Sequence, residues 1–173
     1  MLVLGIDPGT IRMGYGLVRS GPNPAAEDYG VIALPKTMPL EQRLHQLYTH
    51  ILNMISIFQP GVIAVEDPFV GKGERRFSGS ALALGQAQAV VLIGGAGQGI
   101  PVFHYAPAQV KLAVANYGAA TKGQMQQSVT AALNLSESPE TDAADALSVS
   151  LCHLMQSQAA QVLGREIAPG QER

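Results

Sequence analysis

Apolar residues recur along the chain with two different periods, and the switch between them marks out its elements. Leu2-Val3-Leu4-Gly5-Ile6 is a short apolar run closed by Asp7-Pro8-Gly9. That is the pattern of a buried strand ending in a turn. Gly14-Tyr15-Gly16-Leu17-Val18-Arg19 and Tyr29-Gly30-Val31-Ile32-Ala33-Leu34 predict a second and a third strand. Residues 20–28 between them, rich in Gly, Pro and Asn, read as a loop. Connections this short favour an antiparallel meander. From Pro39 the period changes. Leu44, Leu47, Tyr48, Ile51, Leu52, Ile55 and Phe58 recur at spacings of three and four, predicting an amphipathic helix that Gln59-Pro60-Gly61 ends. His45 and His50 fall on or near its polar face. Val62-Ile63-Ala64-Val65 is another buried strand, and it too ends in acids, Glu66 and Asp67. The helical crossover before it favours parallel pairing. If its partner is the first strand, Asp7 and Glu66 share one edge of the sheet.

The second half predicts more helix. Residues 71–79 form a polar loop carrying Lys72, Arg75 and Arg76, the most basic patch in the chain. Residues 81–93 are helical and alanine-rich, with the glycines of 94–99 breaking the helix. Residues 101–105 predict a fifth strand, and 107–117 a short helix bearing Lys111. Thr121-Lys122-Gly123-Gln124 resembles a capping box opening a further helix. Pro139 and Thr141 introduce a final helix over 142–156, leaving 158–173 as a flexible tail behind a domain of residues 1–157.

Composition narrows the class. A chain of 173 residues, 47% hydrophobic and 14% charged, is globular and builds one domain with a real core. No run is long and apolar enough to span a membrane. The first apolar run has no basic region before it and stops at Asp7, which does not suit a signal peptide. The single cysteine, Cys152, lies on an apolar helix and has no partner for an internal disulfide, which fits a reducing, cytoplasmic setting. A net charge of −2 argues mildly against nucleic-acid binding. Two divalent ions bound by carboxylates would reverse that sign.

The candidate chemistry lies in carboxylates. Asp7, last in its strand, sits at the sheet edge where ligand and catalytic groups gather in α/β folds. It can equally start the turn through an Asx-type hydrogen bond. Asp142 and Asp145 stand three apart on the final helix, so they share a face, separated by alanines. Asp142 alone can be read as an acid complementing the helix dipole behind a Thr141 cap. Asp7, Glu66, Asp142 and Asp145 thus stand out in a chain without a His-x-x-x-His pair, a cysteine cluster or a Ser-His-Asp arrangement. An all-oxygen site favours a hard cation, Mg2+ or Mn2+. Two such ions roughly 4 Å apart can clamp both oxygens of an in-line phosphoryl displacement.

The pieces LGIDPGT, GYG, AVE, SALALGQAQ, PVFHYAPAQVK and DAADAL occur in this order between residue 2 and about residue 153. Together they resemble the RuvC family of Holliday junction resolvases, the crossover junction endodeoxyribonucleases. The resemblance implies an α/β, RNase H-like fold: a five-stranded mixed sheet flanked by helices, its first three strands antiparallel. It implies a cytoplasmic homodimer that cuts two strands of a four-way DNA junction symmetrically and works with the RuvA–RuvB branch-migration complex. It places Asp7, Glu66, Asp142 and Asp145 as catalytic metal ligands for two Mg2+ ions, with Mn2+ an alternative. Lys111 and Lys122 match basic positions near the substrate, and Phe69 an aromatic that stacks on junction bases. Lys72, Arg75 and Arg76 would add phosphate contacts, and Phe77 is a second candidate for the wedge. The chain departs from the family pattern at Asp67-Pro68 and in a longer 71–80 loop. It departs also at Gln88, where an arginine is common, which would weaken one backbone contact.

Other classes compete. LGIDPGT also resembles the first phosphate loop of sugar kinases and actin-like ATPases, but this chain has no second phosphate loop. A non-catalytic junction binder and an RNase H-like nuclease acting on RNA are the remaining alternatives.

Overall fold

The computed structural model describes residues 1–67 and 79–164. Five strands form one mixed sheet: β1 (Leu2–Asp7), β2 (Arg12–Arg19), β3 (Ala25–Ala33), β4 (Val62–Glu66) and β5 (Val102–Tyr105). Their spatial order is β3-β2-β1-β4-β5. β1–β2 and β2–β3 pair antiparallel, while β1–β4 and β4–β5 pair parallel, as the meander and the crossover require. The helices are α1 (Leu40–Phe58), α2 (Gly79–Gly97), α3 (Pro107–Ala115), α4 (Lys122–Ala132) and α5 (Thr141–Val162).

Strand alternation divides the core in two. Leu2, Leu4 and Ile6 of β1, with Ile63 and Val65 of β4, point to the layer of α1 and α2, against Leu47, Ile51 and Val91. Val3, Val62 and Ala64 point to the opposite layer, against Val110, Val129, Leu147 and Leu151 of α3, α4 and α5. The central strands are therefore buried on both faces, which is why they read as continuous apolar runs.

Three glycines seat α5 on this second face. A Cβ on Gly5 would lie 2.2 Å from the Ala146 carbonyl oxygen, on Gly14 1.9 Å from that of Asp142, and on Gly16 2.8 Å from Leu147 Cδ2. Gly16 O also accepts a hydrogen bond from Ser150 Oγ at 2.9 Å. Bare backbone on β1 and β2 thus lets the alanine-rich start of α5 approach closely. Gly14→Ala should consequently destabilise the fold by about 1–3 kcal/mol, as overpacking does. Denaturant titration should show the loss; an unchanged midpoint would mean that α5 moves away without cost.

The structure corrects several element boundaries. α2 does not stop at Ile93 but continues to Gly97. Gly94 and Gly95 are packing glycines, not breakers: a Cβ would come within 2.9 Å of Ile51 Cγ2 and 2.7 Å of Val102 Cγ2 respectively. β3 begins at Ala25, inside the segment that reads as a loop. It is an edge strand, and its Glu27 accepts from Arg19 across the pair, so polar residues there serve the sheet. α3 ends at Ala115, where Asn116 turns to φ 55°. α5 runs past Gln156 to Val162, since neither Gly nor Pro intervenes before Gly164. Its N-cap is Glu140, not Thr141. The capping box at α4 forms as expected: Thr121 Oγ1 accepts from Gln124 N–H, and Gln124 Oε1 accepts from Thr121 N–H.

Candidate active site

The fold brings the four acids together from three places in the sequence, β1, β4 and the start of α5. Asp7 ends β1 and Glu66 ends β4, and the parallel register sets Ile6 opposite Val65. Alternation turns both acids towards the α5 face, because Val3 and Val62, an even number of residues before them, lie there. Asp7 is registered with Gly14, over which the Asp142 carbonyl sits. The first turn of α5 therefore rests on the same edge, and Asp145 follows one turn on. All four acids are partly buried.

Burial is the first cause of their altered acidity. It lifts the Asp7 carboxyl from 3.8 to about 8, helped by the negative charges of Asp145, Glu66 and Asp142 and opposed by Lys122. It lifts Glu66 to about 7, with Asp145 raising it further and Lys111 and Lys122 opposing. Asp145 is also raised by burial, against the pull of Lys122 and Lys111 and with the push of Asp142. Lys111 on α3 and Lys122 at the start of α4 thus share the acids' electrostatic neighbourhood. Perturbations this large, caused by desolvation plus like charge at a sheet edge, mark functional sites.

Among the described residues, no three His, Cys, Asp or Glu side chains stand close enough to form a ready-made ligand set. A residue that sequence patterns did not single out engages one of the acids. Arg12, first in β2, donates from Nε to Asp142 Oδ2 at 2.5 Å and from Nη2 to Glu140 Oε2 at 2.7 Å. The available signal was period two: Arg12, Gly14 and Gly16 share one strand face. The chemistry of the donor set still suits a hard cation, being all carboxylate oxygen and drawn into one partly buried edge.

A second cluster flanks Glu66. Gln88 Nε2 donates to Asp67 Oδ1 at 3.0 Å, and His104 Nδ1 stands 2.8 Å from the same oxygen. Two positions that depart from the family pattern, Asp67 and Gln88, are therefore hydrogen-bonded to each other. Beneath the sheet, Tyr105 Oη and His153 Nδ1 share a hydrogen bond at 2.7 Å, and Ser157 Oγ lies 3.2 Å from Nε2. Burial lowers His153 to about 4, so it is neutral and structural. Cys152 is free and buried, its thiol pushed up to about 11, which leaves it inert core as its helix position suggests. His45 and His50 are exposed on α1. Phe69, Lys72, Arg75, Arg76 and Phe77 lie outside the described residues.

Comparison with known proteins decides the family. The family model described as crossover junction endodeoxyribonuclease RuvC matches residues 3–153. The chain belongs to the RuvC family. The family's crossover junction endodeoxyribonuclease from Chloroflexus aggregans is 46% identical over 155 residues, covering 88% of this chain and 92% of that protein. The one from Dehalococcoides mccartyi strain BAV1 is 42% identical, covering 88% of this chain and 90% of that protein. Thermus thermophilus RuvC, solved in complex with Holliday junction substrate, superposes with a TM-score of 0.84 at 31% identity. That match covers 92% of this chain and 96% of the Thermus protein. The fold is accordingly RNase H-like, and no helix among the described residues is long and apolar enough to cross a membrane.

Proposed function

We propose that this protein is a metal-dependent, structure-selective endonuclease that resolves four-way DNA junctions by paired, symmetric strand cleavage in recombination and repair. The observation that carries the reading is the gathering of Asp7, Glu66, Asp142 and Asp145 at one sheet edge, where burial and like charge hold Asp7 near 8 and Glu66 near 7. Such a set calls for a cation at neutral pH. The four carboxylates would hold two Mg2+ ions, or Mn2+. When bound, the ions would polarise the scissile phosphate and stabilise the leaving 3′ oxygen.

The chain's own side chains supply the rest. Lys111 and Lys122 lie beside the acids and would bind the phosphates flanking the cut. Phe69, with Lys72, Arg75 and Arg76, would extend that contact towards the junction centre, where DNA shape rather than base contacts gives selectivity. A homodimer would set two such sites on one junction. The uncharged α2, which leaves Leu82 and Ile93 exposed, offers an apolar face for a second copy. The enzyme would act in the cytoplasm with the RuvA–RuvB complex.

Incubating the full chain with Mg2+ and a four-way DNA junction, a linear duplex or a structured RNA tests this function. The junction alone should be cut, at symmetric positions on two strands. Equal cleavage of duplex or RNA would contradict the reading. In the same junction-binding assay, Lys111→Ala and Lys122→Ala should each weaken binding. Each should also flatten the log–log salt dependence by roughly one unit per lost phosphate contact. An unchanged slope in both would leave them as solvated surface lysines.

A further inference from the structure

Arg12 makes a connection that the proposed chemistry does not by itself require. It crosses from the first residue of β2 to the start of α5, 130 residues away in sequence, and pairs with two acids at once. Neither acid is engaged only with the helix. Glu140 occupies the N-cap but makes no side-chain cap hydrogen bond, and Asp142 in the first turn gives Oδ2 to the Arg12 guanidinium. Gly14, two residues further along the same face of β2, lies directly under the Asp142 carbonyl. Backbone and side chain of Asp142 are thus both located by β2, the first by contact and the second by Arg12.

We infer that Arg12 is a positioning residue that fixes the Asp142 side chain so that it presents Oδ1 to a divalent ion. The inference rests on the reading of Asp142 as a metal ligand. Arg12 takes Oδ2 and not Oδ1, and its hold on Glu140 anchors the guanidinium itself, so that the carboxylate has one orientation. Ligating carboxylates are commonly held by such outer hydrogen bonds, whose loss lowers metal affinity by about 10–100-fold. The planar fork of Arg can bridge two carboxylates where Lys, a single point charge, cannot. Electrostatics alone predicts the opposite sign: removing a cation beside an acidic site would tighten metal binding. The two effects are separable by experiment.

Calorimetric titration of Mn2+ into the full chain, without DNA, provides a readout independent of cleavage. Four proteins are compared: wild type, Asp142→Asn, Arg12→Ala and Glu140→Gln. Asp142→Asn should bind Mn2+ more weakly. Arg12→Ala should also bind it about tenfold or more weakly, with little change in melting temperature, because exposed ion pairs contribute little to stability. Glu140→Gln, which loosens only the outer anchor, should weaken binding by a smaller factor; it carries the test if Arg12→Ala fails to fold. If Asp142→Asn weakens Mn2+ binding while Arg12→Ala leaves it unchanged or tightens it, Arg12 does not position the ligand and the inference falls alone. If Asp142→Asn binds Mn2+ as wild type does, Asp142 is no ligand, and the site reading falls with it.

Discussion

Asp7→Asn and Glu66→Gln should each reduce junction cleavage about a thousandfold or more while leaving junction binding in place. Both acids end parallel neighbouring strands and face α5, so both would hold the same ions. Metal ions stabilise the charge of a phosphoryl transition state by several kcal/mol, and each 1.36 kcal/mol is tenfold in rate. Asn and Gln keep the size of the side chain and remove its charge. They therefore take away a ligand without opening a cavity, and they relieve the repulsion that raises the remaining acids. Binding survives because phosphate contacts come from lysines and arginines rather than from the acids. Single-turnover nicking in Mg2+, with gel-shift binding measured in EDTA, checks both halves. Near-normal cleavage by either variant would remove that residue from the site.

How far the residues alone reach can be judged element by element. β1 ending in Asp7, the parallel pairing of β4 and the pairing of acids on α5 follow from local pattern, because burial on both faces and helical spacing leave direct marks on the sequence; that β1 is the partner of β4 is fixed only by the assembled sheet. The glycines of α2 misled for a physical reason. A glycine breaks a helix or lets a neighbour approach it, and only the position of Ile51 and Val102 tells which. Arg12 escaped notice because its partners lie 128 and 130 residues away and no local period encodes them. The same holds for Asp67, Gln88 and His104, which meet only when β4, α2 and β5 are assembled. The proposed DNA contacts of Phe69, Lys72, Arg75 and Arg76, which lie outside the described residues, rest on resemblance and charge alone.

The second large effect concerns pH and metal together. Asp7 ionises near 3.8 when free and near 8 in the fold, and Glu66 moves from 4.5 to about 7. The folded chain thus holds protons that the unfolded chain gives up. The stabilising contribution of these two carboxyls is full at or below the free carboxylate range and is lost as pH rises through 7 and 8, so the metal-free protein should lose stability over that window. Asp7→Asn should remove much of that decline. Metal binding requires ionised ligands, so Mg2+ should bind more tightly as pH rises over the same window. At a hundredfold excess over its Kd, Mg2+ should add about 2.7 kcal/mol. For a domain of this size, that is a rise in melting temperature of about 5–10 °C. Thermal melts in EDTA from pH 6 to 8.5 test the decline. A flat profile would show that the fold does not raise the Asp7 and Glu66 carboxyls.

Asp145 separates a metal centre from a helix-end cluster most directly. It lies beyond the first turn of α5, where Asp142 is the acid present, so a dipole role for it is already weak. Wild type and Asp145→Asn should be melted at pH 8, each with EDTA and with saturating Mg2+. As a metal ligand, Asp145 repels its neighbours when no ion is bound. The variant should then be at least as stable as wild type in EDTA and should gain less from Mg2+. As a helix-end acid, it would instead stabilise α5 by roughly 0.3–1 kcal/mol with or without metal. A variant that melts lower than wild type in EDTA, yet shows the full Mg2+ shift, would contradict the metal centre.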